Sequence, residues 1–451
     1  MIEVVEPKKH ISALWSKQDV RDGETFRMMR YVMRVEQEGK VLLHNVVTGQ
    51  LVVLNQEEVS AIERLPGKYS LAMEQLVDGH YLVPGDFDEH QQVVKMRTIL
   101  RKLDAAQQRD GLNHYVILPT TACNARCYYC FERGAKTVTM TEETADDVVK
   151  FIDSHCGSNK KVSIMWFGGE PTVAANRITQ ISEGLRDRGI DYTSMMISNA
   201  YLFDEDMVRT AKTLWNLIRI QISVDGTEKN YNEIKNYANA KDNPFERVMR
   251  NVGLFIENEI LVDLRMNYDL NNYQDFNGLL QEATRRYKRN KYLRVYAYPV
   301  IGEYPDRNGR IQHGTDEWRG ETGIQLNNMA RKAQWSQLRE EIPHLRYDGC
   351  SAEDPNAITI TAQGLLVECP EQFENDQRVG SLKSGIVNEE LARKWREIAD
   401  HPNCVQCVFF PRCVKLQKCS AGDKCFFQDR NWQFQETVKK QYSVWEANRE
   451  K

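Results

Sequence analysis

The chain has 451 residues, and its 60 basic and 64 acidic side chains leave a formal net charge of -4. This length exceeds what one hydrophobic core usually serves, so two or three domains are expected. The near-neutral charge excludes a general attraction to nucleic acid or to an anionic membrane. No apolar run approaches the roughly 20 residues that span a bilayer, and the first residues, MIEVVEPKKHISALW, lack the pattern of a signal peptide. We therefore expect a cytoplasmic protein without a nucleic-acid or membrane partner.

Residues 1–90 predict a small module of strands and short helices. Strands are predicted for YVMRV, VLLHNV and QLVVLN, with turn residues between them, and Asn55 predicts the N-cap of the helix that follows. A second helix near residues 70–78 and a short strand, YLVP, complete a pattern typical of a winged-helix module. A charged helix within residues 91–112 is expected to link this module to the next domain.

Between residues 113 and 310, apolar strands alternate with amphipathic helices. The predicted strands are YVILP, VSIMWF, TSMMIS, LIRIQISV, LVDLRMNY and YLRVYAYP, and Thr141 begins a helix between the first two. Six such units predict an α/β fold, a partial (β/α)6 barrel of the TIM type with parallel strands. The functional groups of such a barrel lie at the carboxyl ends of its strands. Residues 311–451 lose this rhythm and are expected to form a loop-rich domain organised by metal.

Ten of the eleven cysteines fall into two groups, which is typical of metal ligands in a reducing compartment. The first group is Cys123, Cys127 and Cys130. The second group comprises Cys350, Cys369, Cys404, Cys407, Cys413, Cys419 and Cys425. Cys156 stands alone, and we assign it no function.

The first cysteine group follows the strand YVILP directly. Its thiolates, separated by three and then two residues, can wrap one cubane cluster and leave its fourth iron without a protein ligand. The alternative is a zinc knuckle, which requires a fourth cysteine or histidine that the next residues do not supply.

This triplet, with the aromatic Tyr129 before its last cysteine, resembles the signature of the radical S-adenosylmethionine (SAM) superfamily. The resemblance implies a catalytic 4Fe-4S cluster on the three cysteines, with SAM on the open iron cleaved reductively to a 5′-deoxyadenosyl radical. The segment Gly168-Gly169-Glu170-Pro171, after VSIMWF, is similar to the family segment that holds the SAM amino group. A Gly-Gly pair at a strand end is otherwise an ordinary turn.

Three further strand ends resemble SAM-binding positions of the same family. They are Ser198-Asn199-Ala200, Ser223-Val224-Asp225-Gly226, and Arg265, which is expected to pair with the SAM carboxylate. Ala200 departs from the family, which often has glycine there. Each position by itself is equally compatible with a turn or a salt-bridged residue.

The second cysteine group resembles the seven-cysteine SPASM domain, which binds auxiliary iron-sulfur clusters in enzymes that modify peptides. Thirteen residues separate Cys350 from Gly364, and four separate Gly364 from Cys369. Five residues separate Cys413 from Cys419, where the family usually has three. The alternative is two structural zinc sites.

The resemblance also implies how these cysteines are shared between two auxiliary 4Fe-4S clusters. Cys350, Cys369 and Cys419 would hold the first cluster, and the second would be held by Cys404, Cys407, Cys413 and Cys425. The first cluster then has either an open iron or a further ligand such as His344, which is otherwise a solvated loop histidine.

The module of residues 1–90 resembles the precursor-recognition element of enzymes that mature ribosomal peptides. In such elements a leader peptide adds a strand to an exposed sheet edge, and residues 49–55 are the expected edge here. The alternative is a structural cap on the barrel.

Together these resemblances predict a peptide maturase of the radical SAM/SPASM type with SAM and three 4Fe-4S clusters. Its partners would be a precursor peptide with a cysteine-containing core and a reductant such as flavodoxin or ferredoxin. Thioether formation is the expected reaction, because an open auxiliary iron can hold the substrate thiolate. The alternatives are carbon-carbon cross-linking, epimerisation, sulfatase-maturase-like oxidation, and a non-catalytic metal scaffold that binds peptides.

Overall fold

The computed structural model describes residues 2–9, 13–15, 24–107, 111–134, 136–300, 314–335, 342–347, 350–372, 377–396, 402–413 and 431–449. The chain forms two compact units. The first unit contains Met1–Gln108, Arg339–Cys350 and Glu397–Lys451, and the second contains Arg109–Leu338 and Ser351–Arg396. The predicted carboxy-terminal domain is therefore divided between the two units. None of the described helices is long and apolar enough to cross a membrane.

The β-strands among the described residues, in chain order, are β1 (Glu3–Glu6), β2 (Thr25–Met28), β3 (Val32–Gln37), β4 (Lys40–Asn45), β5 (Leu51–Val53), β6 (Gly67–Lys68), β7 (Leu82–Pro84), β8 (His114–Thr120), β9 (Lys161–Gly168), β10 (Asp191–Ser198), β11 (Leu217–Ser223), β12 (Leu261–Tyr268), β13 (Leu293–Pro299), β14 (Ala357–Ile360), β15 (Leu365–Val367), β16 (Arg378–Ser381) and β17 (Gly385–Ile386). The α-helices are α1 (Gln56–Ile62), α2 (Glu74–Asp78), α3 (Glu89–Gln107), α4 (Glu142–His155), α5 (Ala175–Asp187), α6 (Glu205–Thr213), α7 (Glu228–Lys235), α8 (Pro244–Glu257), α9 (Phe276–Tyr287), α10 (Asp316–Lys332), α11 (Glu389–Arg396), α12 (Pro402–Val405) and α13 (Asn431–Arg449).

The first unit contains the predicted three-strand meander and a fourth strand that the sequence analysis missed. The strands lie in the order β1-β5-β4-β3, and all neighbours are antiparallel. Strand β1 pairs Val4 with Val52 and Glu3 with Val53, so it covers one edge of β5. The prediction that residues 49–55 form an exposed edge was therefore wrong. A four-residue strand that pairs with a distant edge leaves no local sequence signal.

Both faces of this sheet are covered within the first unit. On one face, Leu43 and Val52 pack in a cluster that includes residues of α1 and α2. On the other, Val5 and Leu42 pack in a cluster with Val438 of α13. The predicted cap of α1 is present, because the Asn55 side chain accepts hydrogen bonds from the first-turn N–H groups. A second small sheet, in the order β6-β2-β7, accompanies these elements, and the winged-helix assignment stays a prediction.

Helix α3 corresponds to most of the predicted linker, and it is an integral part of the first unit. Val93 and Met96 are fully buried in a core cluster that also contains Tyr31 and Phe410. Arg97 is fully buried as well. Three buried positions at helical spacing give α3 a packed face. The charged residues around them made this face difficult to recognise in the sequence.

The second unit contains all six predicted parallel strands, β8 to β13, each paired with the next in chain order. Helices lie between successive strands, and their apolar faces pack on the sheet; α4, for example, buries Val148 and Ile152. The unit is thus an α/β structure with a partial-barrel parallel sheet, and this prediction is confirmed. The sheet continues beyond β8, where β14 pairs in parallel and β15 to β17 follow as antiparallel strands.

Candidate active site

The first cysteine group lies on a loop that leaves the carboxyl end of β8. Thr120, the last residue of that strand, accepts a 2.9 Å hydrogen bond from the Ala122 N–H through its hydroxyl and so fixes the start of the loop. Cys123, Cys127 and Cys130 are all partly buried. Burial, with smaller contributions from the Glu170 charge and the other two thiols, raises the pKa of Cys123 to about 12, and a hydrogen bond from the Ala125 N–H opposes the rise. The other two thiols therefore oppose ionisation of Cys123.

The donor set suits an iron-sulfur cluster, because iron would offset the repulsion between three thiolates on one loop. Among the residues that the structure describes, no three His, Cys, Asp or Glu side chains converge as ligands of a single metal ion would. Thiolates on a cubane bind different irons and need not converge on one point. Cys123, Cys127 and Cys130 are the residues that would hold such a cluster.

Gly168 and Gly169 allow the end of β9 to approach the cysteine loop closely. A β-carbon on Gly169 would lie 2.5 Å from the Ala122 carbonyl oxygen and 2.6 Å from that of Thr121. The backbone N–H of Glu170 donates to the same Ala122 carbonyl at 2.9 Å. Any side chain at Gly169 would push the loop away. The contact with the cysteine loop therefore requires glycine here, which an ordinary turn at a strand end would not.

Glu170 is fully buried and joins the ends of β9 and β10. Its carboxylate accepts hydrogen bonds from the Ser198 hydroxyl at 2.8 Å and from the Asn199 N–H at 2.7 Å. It also accepts from the backbone and hydroxyl of Thr172, next to the buried Pro171. Burial raises the pKa of Glu170, and these donors oppose that rise. Three of these donors reach Oε1 and one, the Asn199 N–H, reaches Oε2, so Oε2 retains capacity to accept a further hydrogen bond, for example from a SAM ammonium group.

Asn199 connects β10 to the cysteine loop. Its side-chain N–H donates to the side-chain oxygen of Asn124 at 2.7 Å. Ala200 has a φ of +59°, a backbone conformation that favours glycine. Ser198 and Asn199 thus lie beside the cysteine loop, as the sequence order of the strand ends predicted.

A buried polar network lies between the cysteine loop and the end of β11. The Tyr129 hydroxyl donates to Asp225 at 2.7 Å and accepts from Asn267 at 3.0 Å. Lys235, which the sequence analysis missed, pairs with Asp225 at 3.0 Å and donates to the Ser223 hydroxyl at 2.8 Å. Burial lowers the pKa of Lys235, but the charges of its neighbours, Asp225 first, outweigh this and raise it above its usual value.

Two other features of this region involve strand β12. Arg265 stacks on the Tyr298 ring at 4.1 Å, and its buried Nε has no hydrogen-bond partner among the described residues. An unused donor beside the strand end fits the predicted contact with an anionic ligand.

The Tyr128 hydroxyl donates to the Asp269 carboxylate just after β12, a contact that the sequence analysis also missed. Tyr128 and Asp269 are 141 positions apart, so no local pattern could reveal them.

The second cysteine group is only partly described. Cys369 is buried after β15 in the second unit, whereas Cys350, Cys404, Cys407 and Cys413 belong to the first unit. Cys419 and Cys425 lie outside the described residues. His344 is partly buried, with Nδ1 3.1 Å from the Ile342 carbonyl oxygen. The division of these cysteines between two auxiliary clusters stays a prediction.

Arg97 organises the segment that carries Cys404, Cys407 and Cys413. Its guanidinium donates to the carbonyl oxygens of Phe410 at 2.6 Å, Pro411 at 2.8 Å and Cys413 at 2.9 Å. Arg30 reaches the same segment by donating to the Val405 carbonyl at 3.0 Å. A buried guanidinium that donates to several backbone carbonyls of one segment fixes the path of that backbone.

Residues 117–283 match the sequence profile of the Radical SAM superfamily, over the β8 to β12 region that carries this site. Two curated proteins are similar to longer stretches. The radical SAM cyclopropyl synthase TigE of Paramaledivibacter caminithermalis is 22% identical over 351 residues, which is 70% of each chain. The GTP 3′,8-cyclase of Clostridium perfringens is 23% identical over 60% of this chain and 84% of its own. The chain is therefore an enzyme.

Solved structures share the fold. AnSMEcpe with bound AdoMet has a TM-score of 0.58 and 16% sequence identity, over 74% of this chain and 99% of its own. Streptococcus suis SuiB, bound to S-adenosylmethionine, has a TM-score of 0.52 and 14% identity, over 88% and 94% of the two chains. Related structures contain the Cp18Cys peptide on anSMEcpe and the precursor peptide SuiA on SuiB. At these identities the likeness shows the radical SAM fold.

Proposed function

We propose that the chain is a SAM-dependent radical enzyme whose substrate is a peptide. The loop of Cys123, Cys127 and Cys130 beside the close-packed Gly169 is the observation that carries the proposal. A cluster bound there would supply the electron that cleaves SAM to a 5′-deoxyadenosyl radical. Ser198 and Asn199 lie at the end of β10, and Arg265 lies in β12 beside the end of β11, where they would hold the amino acid portion of SAM.

The decisive experiment removes the three cysteines together. Replacing Cys123, Cys127 and Cys130 by Ala is expected to abolish reductive SAM cleavage while leaving roughly eight irons per chain in two auxiliary clusters. Iron and sulfide are measured after anaerobic reconstitution, and 5′-deoxyadenosine is measured after reduction with dithionite. Replacing the buried Cys156 by Ala is the matched control and should retain cleavage. Cleavage by the triple variant would refute the assignment.

A peptide substrate is supported by the two structural relatives, which were solved with peptides bound. We propose thioether formation as the reaction, resting on the seven-cysteine pattern, in which the first auxiliary cluster has only three cysteines. The deoxyadenosyl radical would take one hydrogen atom from a substrate carbon. The cysteine sulfur would then bond to that carbon, its proton would leave, and an auxiliary cluster would accept the surplus electron. The peptide thus loses two hydrogens.

Carbon-carbon bond formation is the second candidate, because TigE is a cyclopropyl synthase by name. Both reactions remove two hydrogens, so mass alone does not separate them. Alkylation of the product with iodoacetamide does, since a thioether consumes a cysteine thiol and a carbon-carbon bond leaves it reactive. An unchanged mass with inverted stereochemistry would indicate epimerisation.

We further propose that the sheet of the first unit recognises the precursor peptide by strand addition. Because β1 covers the β5 edge, a peptide that uses this edge would have to take the place of β1. Strand β1 suits this exchange, since it is four residues long and its register shifts between Val4 and Glu6. Val4 is 44% exposed, and the Glu3 carboxylate meets the half-exposed Arg449 at 2.7 Å. Such exposed pairs contribute little to stability.

A further inference from the structure

Lys235 and Asp225 form a buried ion pair next to the cysteine loop. The Lys235 side chain is 2% exposed and that of Asp225 is fully buried, with Nζ 3.0 Å from Oδ2. Lys235 ends α7, and Asp225 follows β11. Desolvating two charges costs several kcal/mol per ion, and well-packed apolar residues would often be as stable. The pair therefore requires a reason beyond stability.

Both ends of Lys235 are attached to the loop that carries the cysteines. Its ammonium group donates to the Tyr129 hydroxyl at 3.1 Å, and its backbone carbonyl accepts from the Arg126 N–H at 2.8 Å. Arg126 and Tyr129 lie on either side of Cys127 and Tyr128 in the chain. The lysine is thereby fixed in position relative to Cys127.

Asp225 contacts the same loop, because its carboxylate accepts the Tyr129 hydroxyl hydrogen at 2.7 Å. The ammonium group and the carboxylate therefore both lie against the loop that carries Cys127 and Cys130. Charges in such a buried site are little screened by solvent.

We propose that the Lys235–Asp225 pair is a positioning and charge-tuning device for the cluster on Cys123, Cys127 and Cys130. The inference rests on the proposed function. A cluster gains negative charge on reduction, so the ammonium group favours the reduced form and raises the reduction potential, while the carboxylate has the opposite effect. Tyr129 and Ser223 hold the ammonium group in this orientation.

The test measures the midpoint potential of the SAM-responsive cluster by redox titration followed by electron paramagnetic resonance. Lys235→Met should shift the potential to more negative values, and Asp225→Asn to more positive values. The double variant should return close to the wild-type potential. Lys150→Met, on the exposed side of α4, is the matched control and should leave the potential unchanged. Shifts of the same sign in both single variants, or no shift, would overturn the proposal.

Two further variants keep the result interpretable if Lys235→Met loses iron. Lys235→Arg retains the charge and should keep a potential near that of wild type, and Lys235→Gln retains a donor for Ser223 and should show the negative shift. Loss of the cluster from all Lys235 variants, including Lys235→Arg, would assign the lysine to loop structure alone and overturn charge tuning. A wild-type protein without any SAM-responsive iron-sulfur signal would instead refute the proposed function.

Discussion

The Glu170 carboxylate accepts a 2.8 Å hydrogen bond from the Ser198 hydroxyl, so the ends of two neighbouring strands share one buried charge. The same carboxylate accepts the backbone N–H of Asn199, beside the cysteine loop. A carboxylate that accepts hydrogen bonds from both strand ends holds them in place before any ligand arrives.

Replacing Glu170 by Gln should loosen this connection, because the amide oxygen can replace only one of the two carboxylate oxygens. With that oxygen facing the three donors at Oε1, the amide nitrogen faces the Asn199 N–H and cannot accept its hydrogen. A hydrogen bond to a charged group contributes about 1.5–3 kcal/mol, so amide exchange at Asn199 should accelerate roughly tenfold or more. Hydrogen-deuterium exchange of peptides covering residues 194–201 measures this. Glu143→Gln changes an exposed residue of α4 and serves as the control. Equal protection in both variants would contradict the structural role of Glu170.

Replacing Gly169 by Ala should displace the cysteine loop. The new β-carbon would meet two backbone carbonyl oxygens, which cannot rotate away as a flexible side chain could. The variant should lose about four irons per chain, one cluster, together with SAM cleavage. Gly253→Ala, in α8, adds a β-carbon 3.7 Å from Tyr287 and should retain both. Full iron content in Gly169→Ala would show that the close approach is not required.

Replacing Arg265 by Met should weaken SAM binding about tenfold or more, because a desolvated guanidinium-carboxylate contact contributes a few kcal/mol. Equilibrium dialysis with labelled SAM under anaerobic conditions measures the dissociation constant. Arg250→Met, on the exposed part of α8, provides a control for loss of one positive charge. Unchanged affinity in Arg265→Met would show that Arg265 does not contribute to SAM binding and would leave its stacking on Tyr298 as its described role.

Strand β1 should be exchangeable for an added peptide. A variant lacking residues 2–9 should bind a fluorescent peptide of that sequence, IEVVEPKK, in a saturable manner by anisotropy, because the β5 edge is then open. In the full-length chain, a Val4→Cys/Val52→Cys disulfide across the β1–β5 pair should prevent binding, and reduction should restore the binding that displacement of β1 allows. Glu36→Cys/Val41→Cys, across β3 and β4, is a control introduced into the deletion variant and should leave its binding intact. Failure of the deletion variant to bind would argue against strand exchange.

Replacing Arg97 by Met should disturb the segment of Cys404, Cys407 and Cys413, because three backbone carbonyls lose their donor. We expect a loss of about four irons per chain, with SAM cleavage retained. Lys102→Met, on an exposed position of α3, should keep its full iron content. The same contacts mean that deleting residues 1–90, which contain Arg30, would affect this segment as well as peptide recognition.

The sequence by itself determined the parallel αβ unit and the order of its strand-end motifs. Apolar strands alternate with helices of clear period, and Cys123, Gly169, Ser198 and Asp225 each lie at or just after the end of a strand, so topology alone brings them to one edge of the sheet. The N-cap at Asn55 could also be predicted from the sequence, since capping depends on residues within one turn.

Only the tertiary structure decided which residues hold those motifs in place. Lys235 lies 106 positions from Tyr129, and Arg97 lies 316 positions from Cys413. Contacts at such separations follow from packing, which no local periodicity encodes. The pairing of β1 with the β5 edge also depends on packing. The four-residue sequence EVVE is too short to specify its partner strand, which is set by the sheet against which it lies.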